Sequence, residues 1–183
     1  MKKFVVICDN LRSCFNVGSI FRTSDALKVD CLYLCGITPD PKTNFEKIQK
    51  TALGAIESVS WQKVSATWRL LEKLKKEKFF IIALENVKSA LPFYEFKIKK
   101  SKAKNLKIAL VLGNEVKGLS KKILKRCDLI LKIPMEGKKE SLNVAIAFAI
   151  VGFYLKYFLK RKAQSAKRKR KRKAQSSKLK TKR

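Results

Sequence analysis

The 183-residue sequence contains no histidine. That absence removes the usual general base of acyl-transfer triads and the commonest ligand of catalytic zinc, so no metal site is expected. Acidic residues are scarce: 14 Asp and Glu stand against 44 Lys and Arg, a formal net charge of +30. The 14 basic residues between Lys160 and Arg183 meet no acid, and residues 1–159 alone still carry +16. A field of that sign selects polyanions, nucleic acid or anionic lipid, and says nothing about fold. Glycine is sparse as well. The seven glycines, at 18, 36, 54, 113, 118, 137 and 152, include no GxG pair, which excludes the dinucleotide-binding fingerprint. Gly113 and Gly118 satisfy the GxxxxG half of a phosphate loop, but Leu119 stands where that motif needs its lysine. Long apolar runs are missing too: the longest, Val144–Leu155, has 12 residues, too few to span a bilayer.

The cysteines, Cys8, Cys14, Cys31, Cys35 and Cys127, are odd in number and form no CxxC pair. On one strand Cys31 and Cys35 would lie roughly 13 Å apart, too far for a disulfide and poor for chelation. They read as small buried hydrophobes. The start of the chain shows no signal-peptide pattern, and a cytoplasmic protein is expected.

What is present is an alternation of short β-type runs with helical ones. Strands are expected at Lys3–Cys8, Asp30–Leu34, Ser58–Trp61, Phe79–Leu84, Lys107–Leu112 and Leu129–Ile133. Helices are expected at Val17–Lys28 and Phe45–Leu53, from a Ser65 cap to Lys76, from a Ser120 cap to Arg126, and from Ser141 onward. Pro92 and residues 93–104 suggest an irregular connection. The pattern implies an α/β domain over residues 1–159, with a mostly parallel sheet and helices on both faces. The last helix is apolar nearly all round from Leu142 to Leu155, so part of it reads as a subunit interface. Residues 160–183 cannot bury a core and read as a basic, disordered RNA-binding tail, with Lys167, Arg168, Lys169, Arg170, Lys171, Arg172 and Lys173 as its densest run. A membrane-surface role fits poorly, because the tail has no interleaved Trp, Phe or Leu apart from Leu179.

Three segments carry chemistry-bearing residues. In Phe15–Leu27, Asn16 stands at a helix head, Gly18 would leave backbone N–H groups open to an anion, and Arg22 would lean back toward the same point. The plainer alternative is a capping Asn and a surface Arg. In Leu110–Ser120 a buried strand opens into a loop with Glu115 at its C-terminal end, where open α/β sheets bind ligands; a solvated loop acid is the alternative. In Ile133–Ala147 a strand ends at Pro134-Met135, Gly137 turns the chain, and Ser141 begins a helix with Asn143 just inside it. Ser141 can be a simple cap, whereas a polar amide heading so apolar a helix wants a partner.

Together these three segments, in this order, resemble the motifs of the SpoU (TrmH-like) branch of the SPOUT RNA methyltransferases, and Lys50–Trp61 is also typical of that group. The resemblance covers about residues 3–157. It implies S-adenosyl-L-methionine as cofactor, methylation of a ribose 2′-hydroxyl of tRNA or rRNA, a C-terminal trefoil knot and a homodimer. It further implies that Arg22 is the proposed catalytic residue, with Asn16, Glu115, Ser141 and Asn143 as its polar companions. By the same resemblance Leu84, Gly113, Ile133, Ser141 and Leu142 form the cofactor pocket. Arg22 would also contact RNA. The family casts this Arg as a general base, but free Arg hardly deprotonates in proteins, so a role through charge and orientation is favoured. The rival reading is a catalytically silent knotted protein for RNA binding or ribosome assembly. A third keeps the enzyme and moves the methyl acceptor to a base.

Overall fold

The computed structural model describes residues 1–97 and 106–157. Its strands are β1 (Lys3–Asp9), β2 (Cys31–Cys35), β3 (Trp61–Val64), β4 (Phe79–Leu84), β5 (Leu91–Pro92), β6 (Lys107–Leu112) and β7 (Leu129–Lys132). They form one sheet in the order β3-β2-β1-β6-β4-β7-β5 with every pairing parallel. The helices are α1 (Cys14–Ala26), α2 (Pro41–Ala52), α3 (Ala55–Ser58), α4 (Thr67–Lys76), α5 (Lys121–Leu124) and α6 (residues 144–157). Helices cover both faces of a mostly parallel sheet, which is the expected α/β architecture.

Side-chain alternation along the central strands assigns the two faces. Phe4, Val6 and Cys8 of β1, with Ile108, Leu110 and Leu112 of β6, pack in one core with α1, α2, α3 and α6. Val5 and Ile7, with Ala109 and Val111, pack in the other with α4 and α5. Strands apolar at every position are the consequence of burial on both sides.

Several element bounds differ from the sequence expectation. α1 begins at Cys14 because Ser13 caps it, its hydroxyl accepting from Asn16 N–H at 3.2 Å. α2 begins at Pro41 because Asp40 accepts from Lys42 N–H at 3.0 Å and proline suits the first helical turn. Residues expected to start a strand at Ser58 instead close the helical turn α3, which Gly54 opens at φ +90°, and the strand moves to Trp61–Val64. Ser65 does not cap α4. The helix starts after Ala66, and the Thr67 hydroxyl is tied to the buried carboxylate of Asp9 at the end of β1. Ser120 does cap α5, accepting from Ile123 N–H at 3.4 Å. All five cysteines are free, and Cys8, Cys31 and Cys35 are buried.

Gly18 has a structural explanation that replaces the anion-site expectation. It is buried where α1 crosses α2, and a Cβ there would collide with Thr51 Oγ1 and the Ile48 carbonyl oxygen, with Ala52 N only 3.0 Å away. Its missing side chain serves helix packing, and no ligand can approach it. Among the described residues no helix is long and apolar enough to cross a membrane.

Candidate active site

The C-terminal ends of the neighbouring strands β6, β4 and β7 open into one cleft of about 490 Å³. Open parallel sheets bind ligands outside the carboxyl ends of their strands. The apolar wall is Leu84, Ile133 and Leu142, and Gly113 forms part of the floor. A Cβ on Gly113 would meet Leu119 Cγ at 2.8 Å and Leu119 N at 2.9 Å, so only glycine lets the returning loop 113–119 close this tightly. Ser141 lies on the rim, exposed.

One hydrogen-bonded chain joins the three sequence segments at this cleft. The Glu115 carboxylate accepts from the backbone N–H groups of Arg12 at 3.0 Å and Ser13 at 3.2 Å, and from Asn16 Nδ2 at 2.9 Å. Asn16 Oδ1 in turn accepts from Asn143 Nδ2 at 2.9 Å. Asn143 Oδ1 accepts from Ala145 N–H at 2.9 Å and Ile146 N–H at 3.4 Å, so Asn143 is the cap of α6. The expected cap, Ser141, stands two residues before the observed one, because it is the Asn143 amide that can bond the helix and Asn16 at once. Asn16 sits inside the first turn of α1 while Ser13 holds the cap, which leaves its amide available to both partners.

Burial alone would raise the Glu115 carboxyl. The Asn16 amide and the Arg12 and Ser13 N–H groups outweigh it and hold the group below its ordinary value. A depressed folded value contributes stability that is complete above the ordinary pKa of about 4.3 and is lost as pH falls through the lower folded value. Glu115→Gln should therefore lose less stability than the parent over that acid range. Urea denaturation at a series of pH values checks this, and parallel curves for the two proteins would count against it.

Asn143→Ala should destabilise by about 1 kcal/mol through the lost cap. Asn143→Ser should recover most of that stability while leaving Asn16 without its donor. Thermal denaturation of the two variants checks this, and an Asn143→Ser chain as unstable as Asn143→Ala would count against Asn143 as the cap of α6.

The structure brings Asn16, Glu115, Ser141, Asn143, Leu84, Gly113, Ile133 and Leu142 to one cleft. It does not bring Arg22 there. Six residues beyond Asn16, Arg22 is turned well away from it around the helix. It shares an exposed face with Phe15, two turns back. Arg22 is exposed and is not among the residues that line the cleft of its own chain, where its guanidinium was expected. The basic run Lys167–Lys173 lies outside the described residues.

Sequence reasoning missed several residues that line the cleft, Glu85 and Asn114 among them. Glu85, directly after β4, accepts from Leu119 N–H at 2.6 Å and from Asn86 N–H at 3.2 Å. A Cβ on Gly118, which has φ +62°, would meet Glu85 Oε2 at 2.6 Å. Asn114 donates to the Asn10 carbonyl at 2.6 Å and accepts from Val116 and Lys117 N–H at 3.0 and 2.9 Å. The signal that marked Glu115, an acid just past a buried strand in a basic chain, applied equally to Glu85. Among the described residues no group of His, Cys, Asp or Glu could hold a metal ion.

The family model for the SpoU rRNA Methylase family matches residues 3–153. Among curated proteins the chain is similar to YacO of Bacillus subtilis (strain 168), provisionally named a TrmH family tRNA/rRNA methyltransferase. Identity is 29% over 153 residues, covering 81% of this chain and 56% of that protein. A relative with the same provisional naming from Staphylococcus aureus (strain COL) is 31% identical over 149 residues, covering 80% and 56%. The chain thus spans just over half the length of these curated relatives. Among solved structures, the A. aeolicus TrmH/SpoU tRNA modifying enzyme superposes with a TM-score of 0.73 at 25% identity, covering 91% of this chain and 90% of that one. The AdoMet bound rRNA methyltransferase from Sinorhizobium meliloti gives a TM-score of 0.75 at 23% identity, covering 86% and 57%, a likeness of fold.

Proposed function

This chain belongs to the SpoU rRNA methylase family, and from that premise we propose that it is an S-adenosylmethionine-dependent RNA methyltransferase acting on a ribose 2′-hydroxyl of tRNA or rRNA. The observation that carries the reading is the chain Glu115–Asn16–Asn143, which ties all three motif segments to one cleft rim.

The cleft fits the cofactor by its own chemistry. Leu84, Ile133 and Leu142 offer apolar walls for a nucleoside, and Gly113 lets the loop 113–119 close tightly beside them. Glu85 and Glu140, also lining the cleft, suit a cationic ligand in an otherwise basic protein. When bound, S-adenosylmethionine supplies a methyl carbon made electrophilic by its sulfonium. The residues of the chain position the acceptor: the Glu115–Asn16–Asn143 bonds fix the two helix heads, and such placement is a large share of the rate gain in group transfer.

Arg22 acts on the ribose oxygen of a site in a second protomer. The support is surface chemistry. Ile146, Ile150, Phe153 and Tyr157 recur at helical spacing on α6, each between 38% and 54% exposed, and Phe15 in the first turn of α1 is 54% exposed. An apolar stripe of this kind needs a cover, and a second copy of the chain would place Arg22, on the Phe15 face, against the partner. Its permanent charge stabilises the oxygen as the hydroxyl proton leaves to water or a phosphate. The knot belongs to the same proposal: residues 134–143 run past the strand ends, where Asn86 Nδ2 donates to the Glu140 carbonyl at 2.7 Å, before α6 packs on the β1–β6 face. So does the division into a methyltransferase domain, 1–159, and an RNA-gripping tail, 160–183.

The test is incubation with methyl-labelled S-adenosylmethionine and RNA. Label should enter RNA with the parent chain and vanish with Gly113→Val, whose side chain would strike Leu119 and Gly118 and force apart the loop 113–119 that lines the cleft. No transfer to any tRNA or rRNA, with the cofactor bound, would support the silent RNA-binding alternative.

A further inference from the structure

We propose that the outer face of α4 and α5 is a second RNA-contact surface, which holds the sugar–phosphate backbone on the side of the sheet opposite α1 and α6; this rests on RNA being the substrate. Residues 67–78 and 117–128 carry ten basic residues against three acidic ones. Among the described residues, only Lys75 and Arg126 of these are committed to ion pairs, with Asp128 at 3.6 Å and Glu72 at 3.1 Å. Lys73, Lys76, Lys121, Lys122 and Lys125 are exposed and have no carboxylate partner among the described residues.

The centre of the surface is ordered by Trp68. Lys122 Nζ lies 4.4 Å from the ring centroid, with the Arg69 guanidinium at 5.1 Å and that of Arg126 at 5.8 Å. Arg126 also donates to the Lys122 carbonyl at 2.9 Å and to Glu72 Oε1 at 3.2 and 3.1 Å. Three like charges gathered over one indole are held by its quadrupole at the cost of their mutual repulsion. An anion bridging them would relieve that repulsion, and cations already placed lose less freedom on binding. The array also leads to the cleft: Lys117 lines it, and α5 starts four residues later, behind the Ser120 cap.

The chemistry favours nucleic acid over a membrane. No large hydrophobic side chain of α4 or α5 is exposed, so the face has cations and nothing to insert into acyl chains. Phosphate contact through lysine and arginine, by contrast, needs only charge at the right spacing.

The test uses the full chain. K73Q/K121Q/K125Q should bind structured RNA at least about tenfold more weakly at low salt and reduce the slope of log K against log [KCl] by about 3. K2Q/K3Q/K28Q, which removes equal charge from residues outside α4 and α5, should shift binding far less. Trp68→Leu should weaken RNA binding a few-fold. An unchanged salt slope in K73Q/K121Q/K125Q, or equal losses in both triple variants, would overturn the proposal. Loss of binding to phosphatidylserine-containing vesicles with RNA binding intact would overturn it in favour of a lipid surface. Failure here is separable from failure of the enzymatic reading: a parent chain that binds RNA but transfers no methyl group removes the activity and leaves this surface standing.

Discussion

Arg22→Ala should lower kcat for methyl transfer by roughly 10²- to 10³-fold, the range expected when one donor aimed at developing charge is removed. Affinity for S-adenosylmethionine should stay unchanged, since Arg22 does not line the cleft of its own chain. Arg22→Lys keeps the charge and loses the planar fork, and should recover only a small part of the rate. The arrangement also predicts complementation. A protomer with Arg22→Ala retains an intact cleft, and one with Gly113→Val retains an intact Arg22, so a mixed dimer should hold one working site. Activity regained on mixing two inactive variants would mark the site as shared. Mixed protein as inactive as either parent would place Arg22 and the cleft in one chain, which the structure does not support.

Gly18→Ala should destabilise the protein despite favouring helix. In a free helix interior the change would add about 1 kcal/mol of stability. Here the new methyl would strike the Ile48 backbone carbonyl and Thr51, and a backbone atom cannot rotate away. Overpacking of this kind costs about 1–3 kcal/mol. At its upper end that lowers Tm by roughly 6–12 °C for a chain of this size. A rise in Tm would mean that α1 and α2 do not cross at Gly18.

The central sheet was legible because its strands leave no ambiguity of period. Phe79–Leu84 and Lys107–Leu112 are apolar at nearly every position, and both occupy those residues in the structure. Boundaries decided by tertiary bonds were less visible. Thr67 starts α4 because Asp9 waits at the end of a strand 58 residues earlier, and no local pattern around Ser65 records that. The site was legible in its parts and hidden in its wiring. Asn16, Glu115 and Asn143 stand out by residue type, but their bonds span 99 and 127 residues of sequence. Gly18 was misread because a glycine near a helix head looks the same whether it admits an anion or another helix. The orientation of Arg22 follows from helical phase, and its position six residues past Asn16 already argues against a shared face.

The most direct measurement concerns where the methyl group ends. RNA labelled by the parent chain from methyl-labelled S-adenosylmethionine is hydrolysed in alkali, which cleaves next to every free 2′-hydroxyl. The account predicts label confined to alkali-resistant dinucleotides, the mark of a 2′-O-methylated ribose. Label released in mononucleotides, on a base, would contradict it.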